Sequence, residues 1–245
     1  MNLIEFGLVV FSAVLLIILS LTKRKTPSTW RVIPALMKLS RSVDLSVEDG
    51  TRLFISLGRS SLLTPRGAAP LAGLGLLRRI TERTSLSDSP PVAVGGEASL
   101  ALLAQDTLQA GYQSMGADDL YQPISGRLTG MTPFSAAAGA MPIIRDENVS
   151  ASMLVGDFGV EAALLADAAE RQNAFLLGAS TDVSSQAVLF ASAQEPLIGE
   201  ELFAASAYLD SGASHSASLT VQDVLRWLII LGLLAGAVLK LAGLI

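Results

Sequence analysis

Apolar positions fall into three regimes along this chain. An almost unbroken run fills Leu3 to Thr22, a second fills Trp227 to Ile245, and between them short apolar clusters alternate with longer amphipathic stretches. The first run carries a single charge, Glu5, near its outer end. About 20 residues rising 1.5 Å each cover the ~30 Å hydrocarbon core of a bilayer, so each run predicts a membrane-spanning helix. The middle reads as a domain tied to a membrane at both ends.

Within that middle, Thr51 to Leu57 alternates as a strand after the tight turn Glu48-Asp49-Gly50. Pro65 to Arg83 places Leu71, Leu74, Leu77 and Ile80 in helical register. Pro91-Val92-Ala93-Val94 is a short apolar strand, and Gly95-Gly96 turns it into a helix over Glu97 to Met115, with Gly116 as the C-cap. A polar connection from Ala117 to Pro133 has room for a hairpin or a loop, and Ala136 to Gly139 is too short to assign. Ser152-Met153-Leu154-Val155 is the clearest buried strand, passing through Gly156-Asp157-Phe158-Gly159 into an Ala-rich helix, Val160 to Gln172. Ala174 to Gly178 and Gln186 to Ala191 read as further strands, and Pro196 to Leu209 as the last helix. Short continuous apolar strands alternating with helices are the pattern of βαβ units. The expected fold is therefore α/β, a largely parallel sheet flanked by helices, with right-handed crossovers.

These elements divide the chain into an N-terminal anchor with its basic flank (1–25), a juxtamembrane linker (26–50), the α/β domain (51–210), a Ser-rich hinge (211–221) and a C-terminal transmembrane helix (222–245). In the linker, Arg31 to Leu39 predicts an amphipathic turn or two with Lys38 and Arg41 toward anionic lipid, or a plain connection.

Charge orients the anchors. No Lys or Arg precedes the first run, whereas Lys23, Arg24 and Lys25 follow it at once. A secretory signal has the opposite order. Positive flanks stay in the cytoplasm, which places the domain inside and both termini outside. Arg226 at the start of the second run agrees, while Lys240 within its last turns must snorkel to the far surface. Trp30 and Trp227 take interfacial positions. Gly232 and Gly236 form a GxxxG, whose small residues let two helices approach closely in lipid, where packing drives association.

Composition narrows the chemistry. The 245 residues are 51 % hydrophobic but only 5 % aromatic, so the core leans on aliphatic side chains. A formal net charge of −5 argues against nucleic acid, whose binding needs clustered cations. The absence of cysteine removes disulfides, thiolate metal sites and cysteine nucleophiles.

The segments Glu48 to Thr51, Leu57-Gly58-Arg59, Leu63-Thr64-Pro65, Met141 to Val149, Gln194 to Glu201 and Gln222 to Trp227 resemble a family of bacterial membrane-anchored proteins catalogued as a domain of unknown function, found in filamentous phototrophic bacteria and their relatives. The resemblance covers most of the chain between the anchors and runs into the second span. It implies that this arrangement recurs as a unit; it brings no activity, cofactor or catalytic residue with it.

Candidate sites are few. Val94-Gly95-Gly96-Glu97 is a strand–glycine–helix junction of the kind that holds anions, but Glu97 would repel a phosphate and no Walker or dinucleotide fingerprint is completed. A tight βα turn accounts for it. Gly73-Leu74-Gly75 lies inside a helical pattern and is weaker still. Gly156-Asp157-Phe158-Gly159 has none of the remaining kinase signature, and Asp157 reads as an N-cap or first-turn carboxylate. Were a site formed at the carboxyl ends of the strands, Gly156, Asp157, Ser180 and Asp182 would border it. Arg145-Asp146-Glu147-Asn148 is the densest polar cluster and reads as a salt-bridged turn or a protein contact. Asp118-Asp119 would need more oxygen ligands to hold a divalent cation. His215, the single histidine, cannot build a His-based zinc site alone. No catalytic residue, cofactor or metal site follows from these patterns.

Two functions compete on this basis. One is a membrane-anchored interaction protein that self-assembles or docks onto a larger membrane complex, its partners being lipid and other copies or subunits. The other is a membrane-tethered ligand-binding or enzymatic domain using the strand ends around Asp157 and Asp182. A deep polar pocket there favours the second; a flat apolar surface favours the first.

Overall fold

The computed structural model describes residues 3–23, 32–59, 64, 67–209 and 213–241. They form two compact units, one of Val32–Leu209 and one made of the terminal segments 1–31 and 210–245.

The larger unit is built on a six-stranded sheet in the order β3-β2-β1-β4-β5-β6. The strands are β1 (Arg52–Gly58), β2 (Val92–Gly95), β3 (Gly126–Leu128), β4 (Val149–Asp157), β5 (Phe175–Ser180) and β6 (Glu195–Leu197). Every neighbouring pair is parallel. Parallel pairs need a crossover between them, and helices supply it: α3 (Ala68–Thr84), α4 (Ala98–Ser114), α5 (Pro133–Asp146), α6 (Ala162–Arg171) and α7 (Val183–Ser192). A further helix, α2 (Pro34–Glu48), precedes the sheet, and α8 (Glu201–Leu209) follows it.

The helices divide between two faces. Leu53, Ile55 and Leu57 of β1 point to a core shared with α2, α3, α4 and α8, where Leu39, Leu76, Leu77, Leu108 and Leu202 are fully buried. Phe54 points the other way, into a core with α5 and α6 that holds Ile144, Leu165 and Ala169. Burial on both sides explains why the centre of β4 reads as a continuous apolar run, and β1, which reads as alternating, is buried on both faces as well. The α/β class and the parallel sheet are as the pattern predicts.

Several elements differ from expectation. Gln186 to Ala191 is not a strand but part of α7. Short apolar runs fit either state by periodicity alone. Here Asp182 decides, its carboxylate accepting from the amides of Ser184 at 3.2 Å and Ser185 at 3.4 Å and so starting a helix. Pro196 does not begin a helix; it sits in β6, an edge strand where a missing N–H is tolerated. The connection Ala117 to Pro133 holds two 3₁₀ turns and the parallel strand β3, not a hairpin. Ala136 to Gly139 lies in α5, which Thr132 and Ser135 open with a reciprocal capping box. Within the stretch expected as linker, α2 buries Ala35, Leu36, Leu39 and Val43, and its Lys38 pairs with Glu195.

Two glycines hold the centre of the sheet together. Gly58 closes β1 at φ +78°, and a Cβ there would collide with the carbonyl of Asp157 on β4. A Cβ on Gly73 would come within 2.5 Å of the Val155 carbonyl and 2.8 Å of Leu57 Cδ2, so α3 rests directly on the strands.

In the second unit, α1 (Leu3–Lys23) packs against α9 (Ala213–Leu241). Helix α9 starts inside the expected hinge. Among the described residues one stretch, Ala217–Leu241, is long and apolar enough to cross a membrane. Both helices turn large apolar side chains outward, among them Phe6, Phe11 and Ile17 on α1 and Leu228, Ile229 and Leu233 on α9.

Candidate functional site

Winding of the chain reverses between β1 and β4. Helices that follow β1 and β2 cover one face, and those that follow β3, β4 and β5 cover the other. At such a reversal the connections leave in opposite directions and open a crevice outside the carboxyl ends of the strands. Backbone hydrogen bonds stitch the rim: Gly96 N–H donates to Gly58 O at 2.8 Å, and Arg59 N–H to Asp157 O at 2.9 Å.

A cleft of about 20 Å³ lies at this point, room for one water-sized group. Its floor is mostly apolar, from Val94, Ala136, Ala137, Phe158 and Leu165, with the buried Ser56 among them. Arg59 and Glu161 supply the charge. Glu161, at the N-terminus of α6, is 4 % exposed; its Oε1 accepts from Gly159 N–H at 2.8 Å and lies 3.7 Å from Arg59 Nε.

Gly156 and Asp157 are the last residues of β4, Ser180 is the last of β5 opposite Gly156, and Asp182 caps α7. The structure brings these four together. Ser180 Oγ accepts from Phe158 N–H at 3.3 Å and from Ser185 Oγ–H at 2.6 Å, and Thr181 Oγ1 donates to Asp157 Oδ1 at 3.4 Å. None of the four lines the cleft, which opens on the other side of β4. Asp157 is not a helix cap as expected. It is a buried strand residue, and the N-cap position of α6 belongs to Glu161. Glu161 is not singled out by any pattern in the sequence; its carboxylate turns back onto the loop that follows β4, accepting from Gly159 N–H.

Other candidates resolve into structure. Glu147 binds both Arg52 and Arg127, and Asn148 takes φ +53° at the turn into β4, so the polar cluster is a salt-bridged turn. Asp118 and Asp119 lie exposed in a 3₁₀ turn. Among the described residues no group of three acidic or histidine side chains is placed to hold a metal ion. Arg226 pairs with Asp223 at 3.5 Å, and Trp227 is exposed. A Cβ on Gly232 or Gly236 would meet none of the described residues within 4 Å. The expected interfacial positions Arg24, Lys25 and Trp30, and the side chains of Lys23 and His215, lie outside the described residues.

Strand order, alternating helical faces and a crevice at the reversal define a doubly wound, all-parallel α/β protein. The chain belongs to the family described as Domain of unknown function (DUF6754), whose model matches residues 1–245. No curated protein and no solved structure matches it.

Proposed function

We propose that this chain is a membrane-anchored interaction protein, held in a bacterial cytoplasmic membrane by α1 and α9, that assembles with itself or with a larger membrane complex. The supporting observation is the outward turn of apolar side chains on both terminal helices. Phe11 and Ile17 of α1 and Ile229 and Leu233 of α9 are each about half exposed or more, although the two helices pack together. Apolar surface on that scale needs lipid or protein against it. The basic flank Lys23-Arg24-Lys25 supports a cytoplasmic side for the α/β unit. The face of α9 bearing Gly232 and Gly236 is open among the described residues and suits a helix from another copy.

The test is the native mass of the detergent-extracted full chain, with co-purifying subunits identified. We expect a species larger than one copy, diminished when Gly232 and Gly236 are both replaced by Leu and retained when Leu233 and Leu234 become Ala. A monomer without bound partners in all three proteins overturns the assembly reading.

A second reading has one observation of its own. The reversal between β1 and β4 is where doubly wound sheets take ligands, which favours a small-molecule site at the strand ends.

A further inference from the structure

Helices α3 and α4 lie side by side on one face of the sheet, and they run in the same direction because each joins one parallel strand to the next. They meet closely where a Cβ on Gly111 would come within 2.7 Å of Thr81 Cγ2. Toward their N-termini from that contact a trough of about 260 Å³ opens between them. Leu74, Gly75 and Arg78 of α3 line one wall, and Asp106, Thr107 and Ala110 of α4 line the other.

The two walls carry opposite charges at matching heights. Counted at 1.5 Å per residue from the Thr81–Gly111 contact, Arg78 and Asp106 stand within about 3 Å of the same level. Arg78 engages Glu82 through Nε at 3.0 Å, and its side chain is still half exposed. Asp106 is exposed and has no hydrogen bond or ion pair among the described residues. About one turn nearer the N-termini, each helix adds a large apolar side chain in the same stripe: Leu71 on α3, 55 % exposed, and Leu102 on α4, 66 % exposed. These two also share a level, to within about 2 Å.

We propose that this trough is a docking surface for a second copy of the chain, related by a two-fold axis running along the trough, so that α3 of each copy lies in the trough of the other. The charge pattern selects that occupant. Rotation about such an axis carries α3 over α4, so Arg78 faces the partner's Asp106 and Leu71 faces the partner's Leu102, and each contact is made twice. An axis across the trough would set Arg78 against its own copy, which like-charge repulsion disfavours. A helix seated between two others is also the ordinary ridge-into-groove packing. An anionic bilayer surface is the poorer fit, because Arg78 and Arg79 are balanced by Glu82 and Asp106 and no excess of cations remains. This rests on the assembly reading above and gives it a surface outside the spans.

The chain has no cysteine, so introduced thiols report one contact at a time. Full chains carrying either Leu71→Cys or Leu102→Cys are mixed in mild detergent and treated with a short bis-maleimide. We expect a cross-linked dimer in the mixture and about a tenth as much in either chain by itself, since a two-fold contact of this kind pairs the unlike positions. Adding Arg78→Glu to both chains should lower the yield about tenfold, and adding Asp106→Lys as well should restore it. Thermal melts establish that the variants fold, and restoration by a second substitution is not open to a misfolded chain. Equal cross-linking in the mixture and in the single chains overturns the surface. So does a yield indifferent to Arg78→Glu, or one that Asp106→Lys fails to restore. Native mass is measured on the same samples. A species larger than one copy with no cross-link overturns this surface and leaves the assembly reading standing, whereas a monomer without bound partners and without cross-link overturns both.

Discussion

Arg127 Nη2 donates to Glu147 Oε2 at 3.1 Å, which ties edge strand β3 to the turn before β4 across two intervening strands. Arg52, at the start of β1, binds the same carboxylate. One glutamate thereby joins three strands at the amino ends of the sheet, opposite the crevice.

That arrangement makes stability depend on acid in a defined direction. Burial alone would raise the Glu147 carboxyl, but the hydrogen bond and charge of Arg127, with those of Arg52, outweigh it and hold it below the ordinary glutamate range. A depressed folded-state value stabilises the protein above the unfolded value of about 4.3, and the contribution disappears as pH falls through the folded value. Replacing Glu147 by Gln should therefore cost about 1–3 kcal/mol at pH 7. The gap between variant and wild type should close in acid, as followed by thermal melts across pH. A gap that persists at the lowest pH would show that the two arginines do not hold Glu147 ionised.

Gly58 and Gly50 separate two costs of a side chain. Both have positive φ, +78° and +63°, but a Cβ on Gly50 meets nothing within 4 Å, whereas one on Gly58 strikes Asp157. Gly50→Ala should cost about 1–2 kcal/mol, the conformational term alone. Gly58→Ala adds overpacking of about 1–3 kcal/mol or more, because β1 and β4 must part. Denaturation midpoints of the two variants give the comparison; equal losses would mean that the seam yields without cost.

The orientation of the anchors is open to chemical labelling. Ser87 lies in the connection between α3 and β2 and is half-buried. In Ser87→Cys, the sole thiol of the chain should react with a membrane-impermeant reagent only after cells are opened. Labelling of intact cells would place the α/β unit outside and reverse the reading of the basic flank.

Much of the sheet was legible because β4 and β5 are buried on both faces and carry short apolar runs, while β1 showed itself by alternation. Strands β3 and β6 were not. Each has three residues at an edge, and Gly126 and Pro196 carry no strand signature. Helix α7 passed for a strand because Val188, Leu189 and Phe190 are adjacent, although only Leu189 faces the core and Phe190 is exposed. The position of Asp157, Ser180 and Asp182 at the carboxyl ends of β4 and β5 was legible, although none of them lines the cleft. Arg59 and Glu161 were not, since their meeting depends on β1 and β4 being neighbours, a pairing that no local pattern encodes.

That pairing also governs when the protein can fold. Ile55 on β1 aligns with Met153 on β4, roughly a hundred residues later in the chain, and non-local contacts of this kind slow folding. As the chain leaves the ribosome, β1, β2 and β3 with their helices are complete while the inner edge of β1 still has no neighbour. Phe54 and Ile55, which end fully buried, must wait for synthesis to pass Asp157. The first half of the domain is therefore the part of the nascent chain that depends on shielding, and a pause in translation before β4 would prolong that exposure.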